Sequence, residues 1–231
     1  MDDVEVPAFQ RARRPEQREL RRQEILDAAE VLLADLPAEE ISLRELGRQL
    51  NVSKTHVVRY FETREGVFLE LLNRQRLAWL DALSEELPEP PCNPEQAMAA
   101  WAGSLAARPG LCQLWSLLPN VLERNVSAET VRVYKLIDLE HRTRLATLIR
   151  DRVPALTEDN ALTLTEYAVV SLVGLWPFSS PTPAIAEATA DPRLERARVD
   201  FPVMYGEILK TTLAGLLSRW EPSAASSSAA S

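Results

Sequence analysis

Cysteine is nearly absent from this chain of 231 residues: Cys92 and Cys112 are the only two, and neither stands at metal-ligand spacing from either histidine, His56 or His141. A disulfide framework or a zinc site is therefore not expected. Glycine is sparse as well, seven residues scattered without the cluster that cradles a phosphate. Apolar runs of about eighteen residues are missing, and the first residues, Met1-Asp2-Asp3, carry acidic side chains where a secretory leader is basic. The expected compartment is the cytoplasm, with no membrane partner. No stretch alternates as a strand does, and no internal repeat occurs. What is present is 46% hydrophobic residues, enough for buried cores in one or two domains. The expected class is all-α.

Positive charge is also in deficit, with a net charge of −8, which argues against a polyanionic partner until the charge is located. Residues 11–76 hold 13 basic and 12 acidic side chains, whereas residues 77–231 hold 13 and 19. The deficit lies downstream. Residues 11–22 contain six arginines and two glutamates, and from this basic arm Arg11, Arg13, Arg14 and Arg18 could reach phosphates or stand solvated.

Residues 43–62, LRELGRQLNVSKTHVVRYFE, carry the spacing of two short helices crossing steeply. Leu43, Leu46 and Leu50 form an inward stripe, and Gly47 leaves room for the second helix at a cost in helix propensity. Asn51 suits a left-handed turn, and Val52 plugs the corner. Ser42 caps the first helix in a capping box with Glu45, Ser53 caps the second, and Thr63 caps a third. Val57 and Tyr60 or Phe61 then face inward, which leaves Lys54, Thr55, His56 and Arg59 outward at the start of the second helix. All four can donate hydrogen bonds, and a major-groove reading helix carries its base contacts there.

On either side the pattern stays helical. A helix from Arg14-Pro15 to Leu36 carries Leu20, Ile25, Ala28, Ala29, Leu32 and Leu33 inward, and another runs from Thr63 through Leu83 to the break at residues 87–91. Beyond it, Asn93-Pro94 starts a helix with Met98, Trp101 and Leu105. Leu111, Leu114, Trp115 and Leu118 form a short helix ended by Pro119. Ser127 caps a long one, residues 161–176 read as a helix buried on most sides, Pro177 interrupts, and residues 184–190 form a small helix. The last runs from Asp200 to Trp220, before a Ser/Ala tail.

The stretch SLRELGRQLNVSKTHVVRYFETREGVFLELL, residues 42–72, resembles the DNA-binding domain of the TetR family of bacterial transcription repressors. With the preceding helix the likeness covers about the first third of the chain. Members commonly carry Gly where Asn51 stands, Gly-Thr or similar where Thr55-His56 stand, and an aromatic residue where Val58 stands. The last departure leaves Tyr60 and Arg64 as the phosphate partners. The resemblance implies a TetR-like fold: residues 11–85 a helix-turn-helix DNA-binding domain, residues 93–220 an effector-binding and dimerisation domain, residues 1–10 and 222–231 flexible tails. It implies a homodimer that represses transcription from a near-palindromic operator in double-stranded DNA and is released by a small-molecule effector. Ser42, Ser53, Lys54, Thr55, His56, Arg59, Tyr60 and Arg64 are the candidate DNA contacts. No cofactor, metal or catalytic residue is expected. The rival reading is an all-α enzyme or an adaptor whose N-terminal helices contact protein.

Downstream, Trp101, Trp115, Tyr134, Tyr167, Trp176 and Phe178 are candidates to line an apolar effector cavity, although aromatics at helical spacing are also ordinary core. The phrases RPGLCQLWSLL, VLERNVSAETV and GLWPFSSP resemble one subgroup of the same family, which names no effector.

Overall fold

A computed structural model describes residues 8–218. The expected tails fall largely outside them, as do the side chains of Arg11, Arg13 and Arg14, and Trp220. Ten α-helices are formed among the described residues, without a strand: α1 (Ala8–Asp35), α2 (Leu43–Gln49), α3 (Lys54–Val58), α4 (Arg64–Glu86), α5 (Pro94–Ala106), α6 (Pro109–Leu117), α7 (Ala128–Arg152), α8 (Glu158–Ser179), α9 (Pro183–Ala188) and α10 (Phe201–Ser218). A π-helical turn, Leu118–Leu122, follows α6, and a 3₁₀ turn, Pro192–Ala197, precedes α10. Two compact units result. The first takes the chain up to Arg74 together with Leu118–Tyr134; the second takes Gln75–Leu117 and the chain from Lys135 onward.

In the first unit Ile25, Leu26 and Ala29 of α1, Ile41, Leu46 of α2, Val57, Phe61 and Phe68 are buried, and α2 contacts both α1 and α3. The turn between α2 and α3 is set by backbone geometry. Asn51 adopts φ 55°, the left-handed region that Asn tolerates better than most residues. Just before it, Gly47 lies where a Cβ would stand 2.8 Å from the Val52 carbonyl oxygen. Val52 donates its own amide to the Gly47 carbonyl at 2.8 Å, so the two backbones are in direct contact and neither can yield. Leu20, expected inward, is exposed, as is Val31.

The second unit is a bundle in which α10 contacts α5 and α8, while α6 contacts α5 and α8. Met98, Trp101 and Leu105 of α5, Leu111, Cys112 and Trp115 of α6, Leu164, Ala168 and Leu172 of α8, and Tyr205, Leu209 and Leu213 of α10 fill its core. Asn93 caps α5, accepting from the Glu95 amide at 2.8 Å, with Pro94 in the first turn. A Cβ on Gly206 would lie 3.6 Å from that of Ala102, ordinary contact between close helices.

Two prolines expected to mark boundaries do not, whereas α6 stops at Leu117, ahead of Pro119 as expected. Pro15 lies inside α1, Pro177 inside α8, and the chain passes Pro119 in the π-helical turn. Each proline removes one backbone donor. Pro177 falls in the last turn of its helix, and the wider π turn takes up the irregularity at Pro119, so the losses are local. Nor is α8 buried on most sides: Tyr167, Val170 and Phe178 are exposed. By length and composition α8 could cross a membrane, and one third of its most apolar stretch is buried.

Gly47→Ala is expected to lower the unfolding free energy by about 1–3 kcal/mol, because overpacking against fixed backbone outweighs the gain in helix propensity. Gly103→Ala is the control, since a Cβ there meets nothing within 4 Å, and it should be neutral or gain up to about 1 kcal/mol. Urea denaturation of the two variants checks the contrast.

Candidate nucleic-acid interface

Reading-helix geometry begins with its caps. The Ser42 hydroxyl accepts from the Glu45 amide at 3.2 Å and the Ser53 hydroxyl from the His56 amide at 3.2 Å. The capping box is only half formed. The Glu45 carboxylate accepts from Arg48 Nε at 3.1 Å, and this neighbour holds it below the usual carboxylate range. Thr63 caps α4, accepting from the Gly66 amide at 3.1 Å.

From this frame Lys54, Thr55 and Arg59 project into solvent, His56 is half-buried, and Val57 is fully buried, so α3 turns a polar face outward and one apolar side chain inward. The His56 and Tyr60 rings lie 5.4 Å apart. Arg59 and Tyr60 also line an open cleft of roughly 630 Å³ with Gln17, Arg18, Leu20, Arg21 and Glu24 of α1. Arg21 pairs with Glu24 at 2.5 Å. Sequence periodicity foresaw neither this cleft nor that Arg18 and Tyr60 share it, since the residues of α1 and those just after α3 are some forty positions apart.

Two arginines are engaged inside the unit. Arg64 donates to the Glu39 carbonyl and pairs with Glu65, both at 2.8 Å. Arg22, counted by sequence among the cationic arm, donates to the Tyr60 carbonyl at 2.8 Å, pairs with Glu70, and lies 4.4 Å from the Phe61 ring centroid. Burial raises the Glu70 carboxyl against the opposing pull of Arg22.

The downstream aromatic candidates do not form one set. Trp101, Trp115 and Tyr134 are buried, Trp176 is half-buried, and Tyr167 and Phe178 are on the surface. Helical spacing alone does not distinguish a core stripe from an outward one. In the second unit Trp115 meets Trp79 edge-on at 5.8 Å, Trp79 Nε1 donates to Ser104 Oγ at 2.8 Å, and the Arg76 guanidinium carbon sits 4.7 Å from the Trp115 ring centroid. Arg76 and Arg142 both pair with the buried carboxylate of Asp138. Several buried donors, Arg76 Nε, Arg142 Nε, Trp101 Nε1 and Trp115 Nε1, find no acceptor. Each such group carries a desolvation cost of about 1–3 kcal/mol. Burial pushes the Cys112 thiol up to about 12, so it stays protonated and gives its hydrogen bond to the Leu105 carbonyl at 3.3 Å.

Two family models match. One, for bacterial regulatory proteins of the tetR family, covers residues 25–71, and the other, a tetracyclin repressor-like C-terminal domain, covers residues 73–219. The chain belongs to the TetR family. As a TetR-family protein it is a DNA-binding transcriptional regulator. No curated protein matches it. Among solved structures it resembles a transcriptional regulator from Rhodococcus sp. Rha1, 19% identical, over 86% of this chain and 96% of that one with a TM-score of 0.53. It also resembles a TetR-family transcriptional regulator from Mesorhizobium loti, 14% identical, over 87% and 97%, again with a TM-score of 0.53. At these identities the likeness fixes the TetR fold.

His141 gives a pH test of the second unit. Burial first, and Arg76 next, push its imidazole down to about 4 from the usual 6.5, so the folded state favours the neutral ring. Its contribution is therefore whole above the unfolded value and is lost as pH falls from about 6.5 toward 4. His141→Gln should make the drop in thermal midpoint over that interval shallower. An unchanged slope would mean the ring is charged in the fold.

Proposed function

We propose that the chain is a homodimeric repressor whose first domain, residues 11–85, reads a near-palindromic operator and whose second, residues 93–220, dimerises and receives a small-molecule effector in the cytoplasm. The observation that carries the DNA contact is the outward set Lys54, Thr55, His56 and Arg59 on α3, flanked by the cleft of Arg18, Arg21 and Tyr60. Lys54, Thr55, His56 and Arg59 reach base edges, whereas Ser42, Ser53, Tyr60 and the arginines of α1 face phosphates. Arg64 contacts phosphate only in competition with Glu39 and Glu65, so its larger service is to hold the start of α4.

Binding to the chain's own promoter fragment, followed across salt, tests the reading. Thr55→Ala and His56→Ala should each weaken binding by about 1–3 kcal/mol and change base preference. Arg18→Ala should weaken binding to all sequences and flatten the salt slope by about one unit. A uniform loss from Thr55→Ala would refute the assignment of α3 as the reading helix.

Dimerisation is supported by apolar surface. Tyr167, Val170 and Phe178 on α8 and Val203 and Met204 on α10 are exposed in one chain, on helices that are in mutual contact. Gly174 of α8 and Gly215 of α10 have open space where a Cβ would stand, which allows a second helix close approach. Two copies pairing these faces as four helices should bury more than about 2,000 Å², the range of obligate dimers. Sedimentation should give a dimer at micromolar concentration and a monomer for Val170→Asp. A monomeric wild type would overturn this part and remove the reason for a palindromic site.

A further inference from the structure

Arg76 is 2% exposed, near the middle of α4, and its surroundings are unbalanced in two ways. The first is charge. Among the described residues Asp138 is the one carboxylate paired with it, and it must also serve Arg142, whose other acidic neighbour, Glu166, stands 3.9 Å away on the exposed side of α8. Two guanidiniums thus share one buried anion. His141, which Arg76 and Asp138 both influence, adds no negative charge. The second is hydrogen bonding. Arg76 Nε, Arg142 Nε and Trp115 Nε1 are buried N–H donors without acceptors, and Arg76 lies over the Trp115 ring at 4.7 Å. These three are donors only, because neither guanidinium nor indole nitrogen can accept, while His141 Nδ1, also without a partner, can donate or accept.

A cluster of unmet donors with surplus positive charge is the complement of one ligand class. The missing partner must bring acceptors and a negative charge, and the indole faces of Trp115 and Trp79 favour a planar apolar body. We propose that the effector is an aromatic carboxylate, its carboxylate bound between Arg76 Nε and Trp115 Nε1 and its ring against Trp79 and Trp115. The inference rests on the reading of this domain as effector-receiving. Arg76 also gives the ligand its leverage: α4 is one continuous helix, with residues to Arg74 in the first unit and those from Gln75 in the second. A carboxylate competing with Asp138 for Arg76 acts on that helix at the second residue past the division.

The test compares 2-naphthoate with 2-naphthamide, which share a ring system and differ in charge, using tryptophan fluorescence of the full chain. Naphthoate should bind at least tenfold more tightly than the amide. Trp115→Phe keeps the stacking ring and removes one donor, so it should cut naphthoate affinity several-fold and the amide's, whose neutral carbonyl is the weaker acceptor, by less. Arg76→Gln should erase the tenfold preference; should it fail to fold, the Trp115→Phe result stands alone as the arbiter. Equal affinities for acid and amide overturn the inference, as does binding of neither at millimolar concentration. Operator release separates the two levels. If acid and amide bind equally and both release DNA, the effector reading survives and the carboxylate assignment fails. If naphthoate binds through Trp115 and Arg76 but leaves operator affinity unchanged, the site is real and the effector reading fails, since release requires differential affinity for the two states.

Discussion

The reading head depends on Arg22. Helix α3 has five residues, too few to hold its own conformation in water, and the Tyr60 carbonyl just beyond its end needs a partner. Arg22 supplies one from α1. Its guanidinium takes the Tyr60 carbonyl, pairs with Glu70 on α4 and covers the Phe61 ring, so α1, α4 and the segment that follows α3 meet at one planar group. With about a quarter of the side chain exposed, the ion pair itself contributes modestly. The value lies in geometry: five donors in a rigid fork fix an orientation that burial of Val57 and Phe61 alone would leave free to rotate. The outward direction of Thr55 and His56 follows from that fixed roll of α3.

Local interactions were legible in the sequence and distant ones were not. Ser42 and Ser53 act on amides three residues away, Asn51 needs only its own backbone to enter the left-handed region, and Gly47 faces a residue five positions on. All four could be read from spacing. Arg22 and Arg64 meet partners 38 and 25 positions away, and nothing in the local pattern separates such an arginine from a solvated one. The prolines misled for the opposite reason. A local rule was applied where the loss of a single donor was affordable, as at Pro177 in the last turn of α8.

The aromatic residues show the same limit on a larger scale. Trp101 and Tyr167 both lie at helical spacing on apolar helices, yet one is 1% exposed and the other 49%. Helix α8 is apolar around most of its circumference because it has two faces to satisfy. Ala161, Leu164, Ala168 and Leu172 face the bundle, where α6 and α10 lie against the helix, while Tyr167, Val170 and Phe178 face out. Composition that would suit a membrane span is here divided between a core and an open surface, with Glu166 beside Tyr167 on the outward side. A soluble partner surface meets that division with less cost than hydrocarbon, which would have to take up the Glu166 carboxylate as well.

Stability alone does not account for Arg76. A buried ion pair returns little net free energy after desolvation, and apolar side chains of equal volume serve a core at least as well. Here the pair is also incomplete, since Asp138 is shared and donors are left over around Trp115. Elsewhere in the same unit Trp79 has Ser104, Tyr205 donates to the Ala168 carbonyl at 3.0 Å and Cys112 has Leu105, whereas Trp101 Nε1 and Arg152 Nε are also left without a partner. Part of that cost falls at one point, around Arg76. That point falls on the helix that carries the chain from one compact unit to the other, where a change in hydrogen bonding can alter position as well as energy.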